Sequence, residues 1–346
     1  MLKPSETNNA NPLTAVFELI QKRLPADVAA LAEAFTQRYY AQVASEDLAE
    51  RSLQDLYGAA LSHWHFVRRF SPGAARLRVY NPRPEEHGWQ STHTIIEIIS
   101  EDMPFLVDSI TMEVNRQGLT VHLIIHPLMR TRRDAEGNLQ DIADERDDTL
   151  GNLESIIHVE VDRRTDPVHL EALQQGLTHI LGDVRAAVDD WPLMRQQLAD
   201  LVSGLESAPP PIDMTEAAEE IAFLKWMAAG NFTLLGYREY TLLGENGACA
   251  EANDCVLRIV PGTGAGILRE TGHERTISFA ALPPEVKRIA LEPRLLVLTK
   301  ANARSTVHRP GYLDYVGVRR IDQAGRVIGE QRFLGLFAAT AYNISP

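Results

Sequence analysis

THTIIEIISEDMPFLVDSITMEVNRQGLTVHLIIHPLMRTRR, Thr92 to Arg133, decides the fold class. Ile95, Ile96, Ile98 and Ile99 make a β-branched strand, since branched side chains suit a pleated surface. Glu101-Asp102-Met103-Pro104 ends it, because proline fixes φ and fits the first turn of a helix. Phe105, Leu106, Ile110, Val114 and Leu119 then space apolar groups three to four residues apart, the period of an amphipathic helix. Gly118 stops that helix where a left-handed cap costs least. Val121, Leu123 and Ile125 begin the next strand. The stretch is the start of a β-α-β unit and shows no obvious catalytic group.

Downstream, the second strand runs over 119–131 into a turn at Asp134-Ala135-Glu136-Gly137-Asn138, followed by an acidic loop to Gly151. Ser155 to Asp162 alternates as a half-buried strand. Asp166-Pro167 opens a helix through Leu170, Leu173, Leu177, Ile180 and Leu181 to about Val188. The order is β-α-β-β-α; one more strand makes a ferredoxin-like unit, an antiparallel sheet covered by helices. Upstream, residues 1–12 read as disordered. Helical stripes follow: Leu13, Val16, Phe17 and Ile20, then Val28, Leu31, Ala34 and Phe35. A third helix is expected over Asp47–Arg69, carrying Leu48, Leu53, Leu56, Leu61 and Trp64. Ala75–Tyr80 reads as a short strand. Asp190-Trp191-Pro192 begins a further helix, and Ser207-Ala208-Pro209-Pro210-Pro211 is the clearest linker. A helix from Thr215 to Gly230-Asn231 leads into candidate strands at 233–243, 256–260, 295–300, 313–321 and 326–339.

With 346 residues, 45% hydrophobic and 23% charged, the chain can hold two to three domains with real cores. No apolar run approaches the roughly 20 residues that span a bilayer, and the polar start MLKPSETNNANP has no secretory h-region. Cys249 and Cys255 are read as reduced thiols, which points to a cytoplasmic location. The formal net charge of −13 weighs against nucleic acid as a partner. The cations Arg130, Arg132 and Arg133 are followed by Asp141, Asp144, Glu145, Asp147 and Asp148, as on an exposed hairpin of mixed charge.

Four blocks carry a resemblance. Glu101–Ser109 with His122–Pro127 resembles the N-terminal region of the large bacterial NAD-specific glutamate dehydrogenases. So do Phe223–Met227 through Asn231–Arg238, Ser305–Pro310 with Tyr312–Tyr315, and Arg332–Phe337 with Thr340–Asn343. The blocks cover about residues 85–346 in the family's order. The resemblance implies an α+β fold: an N-terminal helical segment followed by ACT-like domains of ferredoxin-like βαββαβ order. The implied domains are a helical segment 1–80, a first ACT-like domain 81–189, a helical linker 190–232 and a second ACT-like or β-rich domain 233–346, cut short at its C-terminal end. It implies a regulatory and oligomerising region of an enzyme that oxidises L-glutamate with NAD. The catalytic domain lies further along the same polypeptide, so the region itself is expected to be inactive and to hold no cofactor. A homo-oligomer and an amino-acid effector are the other implied partners. In amino-acid-binding ACT domains a glycine usually follows the proline of the first strand-helix turn, where a ligand carboxylate meets helix amides. Here Phe105 stands there, its ring narrows the approach, and Asp102 and Asp108 add negative charge. That leaves assembly as an alternative role for the turn.

Other motifs read as structural. A dinucleotide fold needs a glycine-rich turn between strand and helix with an acidic residue about 20 positions on, which no segment supplies. Gly262-Thr263-Gly264-Ala265-Gly266 lacks a following Lys-Ser/Thr and reads as a hairpin or loop rather than a phosphate cradle. His122 and His126 are four apart but lie on a strand. His63-Trp64-His65 points its imidazoles to different helix faces, and no metal is expected. Ser305 and His308 lack a third orienting group for hydrolysis. The candidate effector or interface residues are therefore Asp102, Pro104, Phe105 and Asp108 at the turn, with Arg304, His308 and Arg309 as anion-binding groups. A free-standing amino-acid sensor with ACT-like modules is the alternative function.

Overall fold

Four helices open the chain: α1 (Pro12–Arg23), α2 (Ala26–Tyr39), α3 (Ser45–Ala49) and α4 (Leu53–Val67). The expected single helix over 47–69 is two, because Ser52 caps α4 by accepting the Asp55 amide at 3.1 Å and so breaks the run. β1 (Arg76–Tyr80), α5 (Pro84–His87), β2 (Thr94–Glu101) and α6 (Leu106–Arg116) follow. The strand expected over 119–131 is interrupted at His126-Pro127, giving β3 (Val121–Ile125) and β4 (Leu128–Arg133); proline has no N–H for the ladder. Part of the expected acidic loop is a strand, β5 (Leu139–Asp144), pinned to β4 by the buried Ile142 and by Asp141 on Arg132. β6 (Asn152–Val161) and α7 (Pro167–Asp189) complete this part. The computed structural model describes residues 12–147, 149–244, 249, 255–269, 277–279 and 283–338, so the start of the chain read as disordered lies largely outside the described residues, as does the block Thr340–Asn343.

The chain divides into one unit of Met1–Met103 with Ile110–Gly182 and a second of Pro104–Ser109 with Asp183–Pro346. The first unit's sheet is antiparallel, in the order β1-β2-β6-β4-β5, with β3 also on β6. The strand beside β2 that completes a ferredoxin-like sheet is thus β1, which precedes the opening strand instead of following α7. Strand alternation divides the isoleucines between two faces. Ile99 and Ile156 share a core with Val16, Ile20, Phe35, Leu56 and Trp64, so α1, α2 and α4 cover that face. Ile96, Ile98, Ile157, Val159 and Val161 face the other way and are also buried, as are Ile110 and Val114 on α6 and Leu173 and Leu177 on α7. A sheet buried on both sides explains why its central strands read as nearly continuous apolar runs.

The second unit has α8 (Trp191–Ser207), α9 (Met214–Trp226), a π-turn at Met227–Asn231, β7 (Phe232–Leu243), β8 (Val256–Ile259), β9 (Ala265–Gly266), β10 (Ile277–Ser278), α10 (Pro284–Leu291), β11 (Leu296–Arg304), β12 (Tyr312–Ile321) and β13 (Val327–Phe337). Its sheet runs β10-β8-β7-β13-β12-β11, all neighbours antiparallel, with β9 on β7. Met194, Leu198 and Val202 of α8 and Leu224 of α9 share a core with Leu234, Tyr237, Val316 and Phe333 of the sheet. Cys249 and Cys255 form a disulfide, with Cα atoms 5.3 Å apart. Free thiols were expected; instead Cys255, fixed at the start of β8 by the pairing of Leu243 with Val256, has Cys249 within disulfide reach.

Candidate functional site

The turn after β2 is strained at one residue. Phe105 has φ 74°, a left-handed backbone that favours glycine, at the position where the resemblance leads one to expect glycine. Within the second unit its ring packs on His308, with centroids 4.9 Å apart and planes at 43°. His308 also has φ 74°. Its backbone N–H donates to the Ser109 hydroxyl at 3.1 Å. Its Nδ1 lies 3.9 Å from Asp108 and has no hydrogen-bond partner among the described residues. Two left-handed non-glycine residues in one contact are held there by their surroundings, at a strain of order 1 kcal/mol each.

The remaining candidates are dispersed. Pro104 is exposed. Asp102 lies in the first unit, where it accepts the Ser155 hydroxyl at 2.7 Å, and Ser155 is itself 3.0 Å from His126 Nε2. Burial lowers the His126 pKa, with Asp102 opposing. Arg304 stacks over Tyr312 at 5.2 Å, and Arg309 donates to the Phe337 carbonyl at 2.8 Å. Phe105, Asp108 and His308 are therefore brought together; Arg304 and Arg309 are occupied elsewhere. Ser305 donates to the Val307 carbonyl at 2.6 Å, so its hydroxyl is turned to backbone and not to His308. In the glycine loop the Gly266 amide donates to Asp190 at 2.7 Å, and a Cβ on Gly266 would meet the Leu235 carbonyl oxygen at 2.1 Å. The loop lies against β7, and a protein carboxylate already holds that amide.

Two features of the first unit were missed in sequence. One is a cleft of about 660 Å³ whose lining includes Arg51, Trp89, His93, His122 and Glu160, with Asp47, Glu50 and Asp55 at the same opening. Arg51 makes a two-pronged pair with Glu160 at 2.6 and 2.9 Å. Burial acts to raise the Glu160 pKa, but hydrogen bonds from His158 and Arg51 prevail and hold it far below the usual range. His93 and His122 rings lie 4.4 Å apart; His93 Nδ1 is 3.3 Å from Glu160 and His122 Nε2 is 2.8 Å from Asp162. The hydrogen bond from His122 is the first cause that brings Asp162 down to about 2. The cleft sets the Arg51–Glu160 pair and two imidazoles beside the carboxylates Asp47, Glu50 and Asp55.

The other is a buried polar cluster, His63, Glu97 and His158, at 0%, 0% and 1% exposure. Glu97 and His158 are direct cross-strand partners on β2 and β6, and α4 brings His63 to the same face. Arg78 Nε donates to Glu97 at 2.6 Å and Tyr80 donates at 2.9 Å. A signal for it was present: Glu97 has the parity of Ile95 and Ile99, and His158 and Glu160 that of Ile156, so all three point under the helices.

Comparison with known proteins agrees with this architecture. Residues 35–177 match the family profile described as glutamate dehydrogenase, ACT1 domain. An NAD-specific glutamate dehydrogenase of Halomonas elongata is 43% identical over 332 residues, 95% of this chain and 20% of that protein. Its counterpart in Pseudomonas aeruginosa is 36% identical over 314 residues, 90% of this chain and 19% of that protein. Over most of its length the chain is similar to one part of the NAD-specific glutamate dehydrogenases. A more distant relative, from Mycobacterium tuberculosis, is 27% identical over 291 residues. The chain spans about a fifth of the length of the curated relatives it matches. The ACT1 match begins near the end of α2 and stops within α7, so it takes in the whole first sheet and the helix α4 packed on it.

Proposed function

We propose that this chain is the regulatory and assembly region of a large NAD-dependent glutamate dehydrogenase. The parent enzyme would convert L-glutamate and NAD to 2-oxoglutarate, ammonium and NADH on a catalytic domain elsewhere in the same polypeptide. The match of the ACT1 profile to the first unit carries this reading. Its mechanism would be coupling: an effector, or a subunit contact in a homo-oligomer, favours one conformational state and so biases the distant active site. No described helix is long and apolar enough to cross a membrane. The Phe105–His308 contact weighs against an effector bound at the turn itself, because both rings are spent on each other. Residues 1–346 incubated with glutamate and NAD should form no NADH, whereas the parent enzyme should; NADH formation by this chain alone would refute the assignment.

A free-standing amino-acid sensor is the second reading, favoured by the mixed charge of the 660 Å³ cleft. An immunoblot of native lysate separates the two. A band several times larger than 38.5 kDa supports the dehydrogenase region, and a band at that mass supports the sensor.

A further inference from the structure

The buried cluster of the first unit has the composition of a metal site. His63, Glu97 and His158 each offer one ligand atom, and those atoms lie within 4.8 Å of one another. Nδ1 of His158 is buried with no hydrogen-bond partner among the described residues, and the ring nitrogens of His63 are buried beside the Ile98 backbone. Orphaned polar atoms of this kind are destabilising and rare in native cores. His158 Nε2 lies 3.4 Å from Glu160, which Arg51 anchors from the far side. That contact assigns the proton to Nε2 and leaves the Nδ1 lone pair free. A histidine oriented by a carboxylate through its other nitrogen is the usual outer layer of a metal site. Tyr39 completes the surroundings: its ring is 5.5 Å from His63 and 6.0 Å from His158, and its hydroxyl is also buried and unpartnered.

We propose that His63, Glu97 and His158 bind one divalent first-row transition metal, of which zinc is the best-fitting member, as a structural tie between α4 and the β2–β6 pair. Two imidazoles and a carboxylate are borderline donors that suit zinc. Zinc bonds of about 2.0–2.2 Å put tetrahedral ligands roughly 3.3 Å apart. Side-chain shifts of about an ångström reach that from the observed spacing. Arg78 meets Glu97 Oε2 through two nitrogens, and Oε1, which accepts from Tyr80, keeps a lone pair for the metal. The fourth position falls to the Tyr39 hydroxyl or to a water. The three ligands come from an N-terminal helix and two central strands, so the metal would fasten the helical layer to the sheet. Its complete burial suits a structural ion and not a catalytic one.

The test uses the intact chain, stripped with a chelator and then equilibrated with zinc or cobalt(II). One metal per chain should remain after desalting. The cobalt form should show the visible absorption of a four-coordinate ion. Zinc at a hundredfold excess over Kd should raise the melting temperature by about 5–10 °C. His63→Gln and His158→Gln should each abolish retention, and a His93→Ala/His122→Ala double variant should leave it intact. Where a buried variant fails to fold, the cobalt spectrum of the wild-type chain decides. Metal content near zero in folded wild-type chain, six-coordinate cobalt, or binding lost only with His93 and His122 would each overturn the proposal.

Discussion

Phe105 sits where glycine is least strained, and its φ of 74° makes a prediction about side-chain size. Phe105→Ala and Phe105→Gly both remove the stack on His308, a contact worth about 0.5–1.5 kcal/mol. Only glycine also relieves the left-handed backbone, by about 1 kcal/mol. The glycine variant should therefore melt about 2–4 °C above the alanine variant in a thermal scan; the opposite order would show that the turn is not strained. The departure from glycine was legible in sequence, but its partner was not, because nothing local ties residue 105 to residue 308. Asp190 gives the pH counterpart. Its carboxylate receives Arg269 at 2.6 and 2.8 Å and the Gly266 amide at 2.7 Å, which holds its pKa below the ordinary value. A depressed folded pKa stabilises the fold above the unfolded value near 3.9. That contribution fades as pH falls through the folded pKa. Asp190→Asn should thus lose about 1–2 kcal/mol at pH 7 in urea unfolding and match wild type once the pH is low enough to protonate Asp190. An equal loss at neutral and strongly acidic pH would contradict the assignment.

At the scale of elements, periodicity placed α1, α2, α6, α7, α8 and the long strands β2, β6, β7, β12 and β13 close to their observed bounds. It failed where a tertiary partner decides. β5 lies in a run dense in Asp and Glu, and only its hairpin with β4 makes it a strand. α10 (Pro284–Leu291) went unread, being only eight residues long. β1 was found, yet its place beside β2 depends on sheet order, which periodicity does not encode. Helix packing gives a test on α4. Gly58 lies on it, and a Cβ there would come within 2.2 Å of Trp89 Cβ, a rigid atom of a side chain 2% exposed. On an open helix face Gly→Ala is stabilising by about 1 kcal/mol. Here overpacking of about 1–3 kcal/mol opposes it. Gly58→Ala should lower the melting temperature, and a rise would mean that Trp89 gives way easily.

For the whole molecule, the resemblance and the family match say more than any single cluster, because the chain covers only about a fifth of its curated relatives. Composition weighed against a nucleic-acid partner, and four separated blocks carried the resemblance to the glutamate dehydrogenases. Neither could show that α1, α2 and α4 share a core with one face of the first sheet, since helical stripes do not name the surface they cover. With α6 and α7 on the other face, the first unit has three layers, and β2 and β6 lie in the middle one. The proposed regulatory role then has a distinct consequence. Deleting residues 1–346 from the parent enzyme should leave glutamate-dependent NAD reduction detectable while removing its response to amino-acid effectors, because the groups lining the charged cleft go with the deleted region. A milder form is Arg51→Ala in the full enzyme, which removes the cation pairing with Glu160 in that cleft. It should shift the effector concentration for half-maximal response by about fivefold or more, the range of ordinary coupling energies, with the unstimulated rate unchanged. Intact effector response in the deletion variant would move regulation to another part of the polypeptide and leave assembly as this region's role.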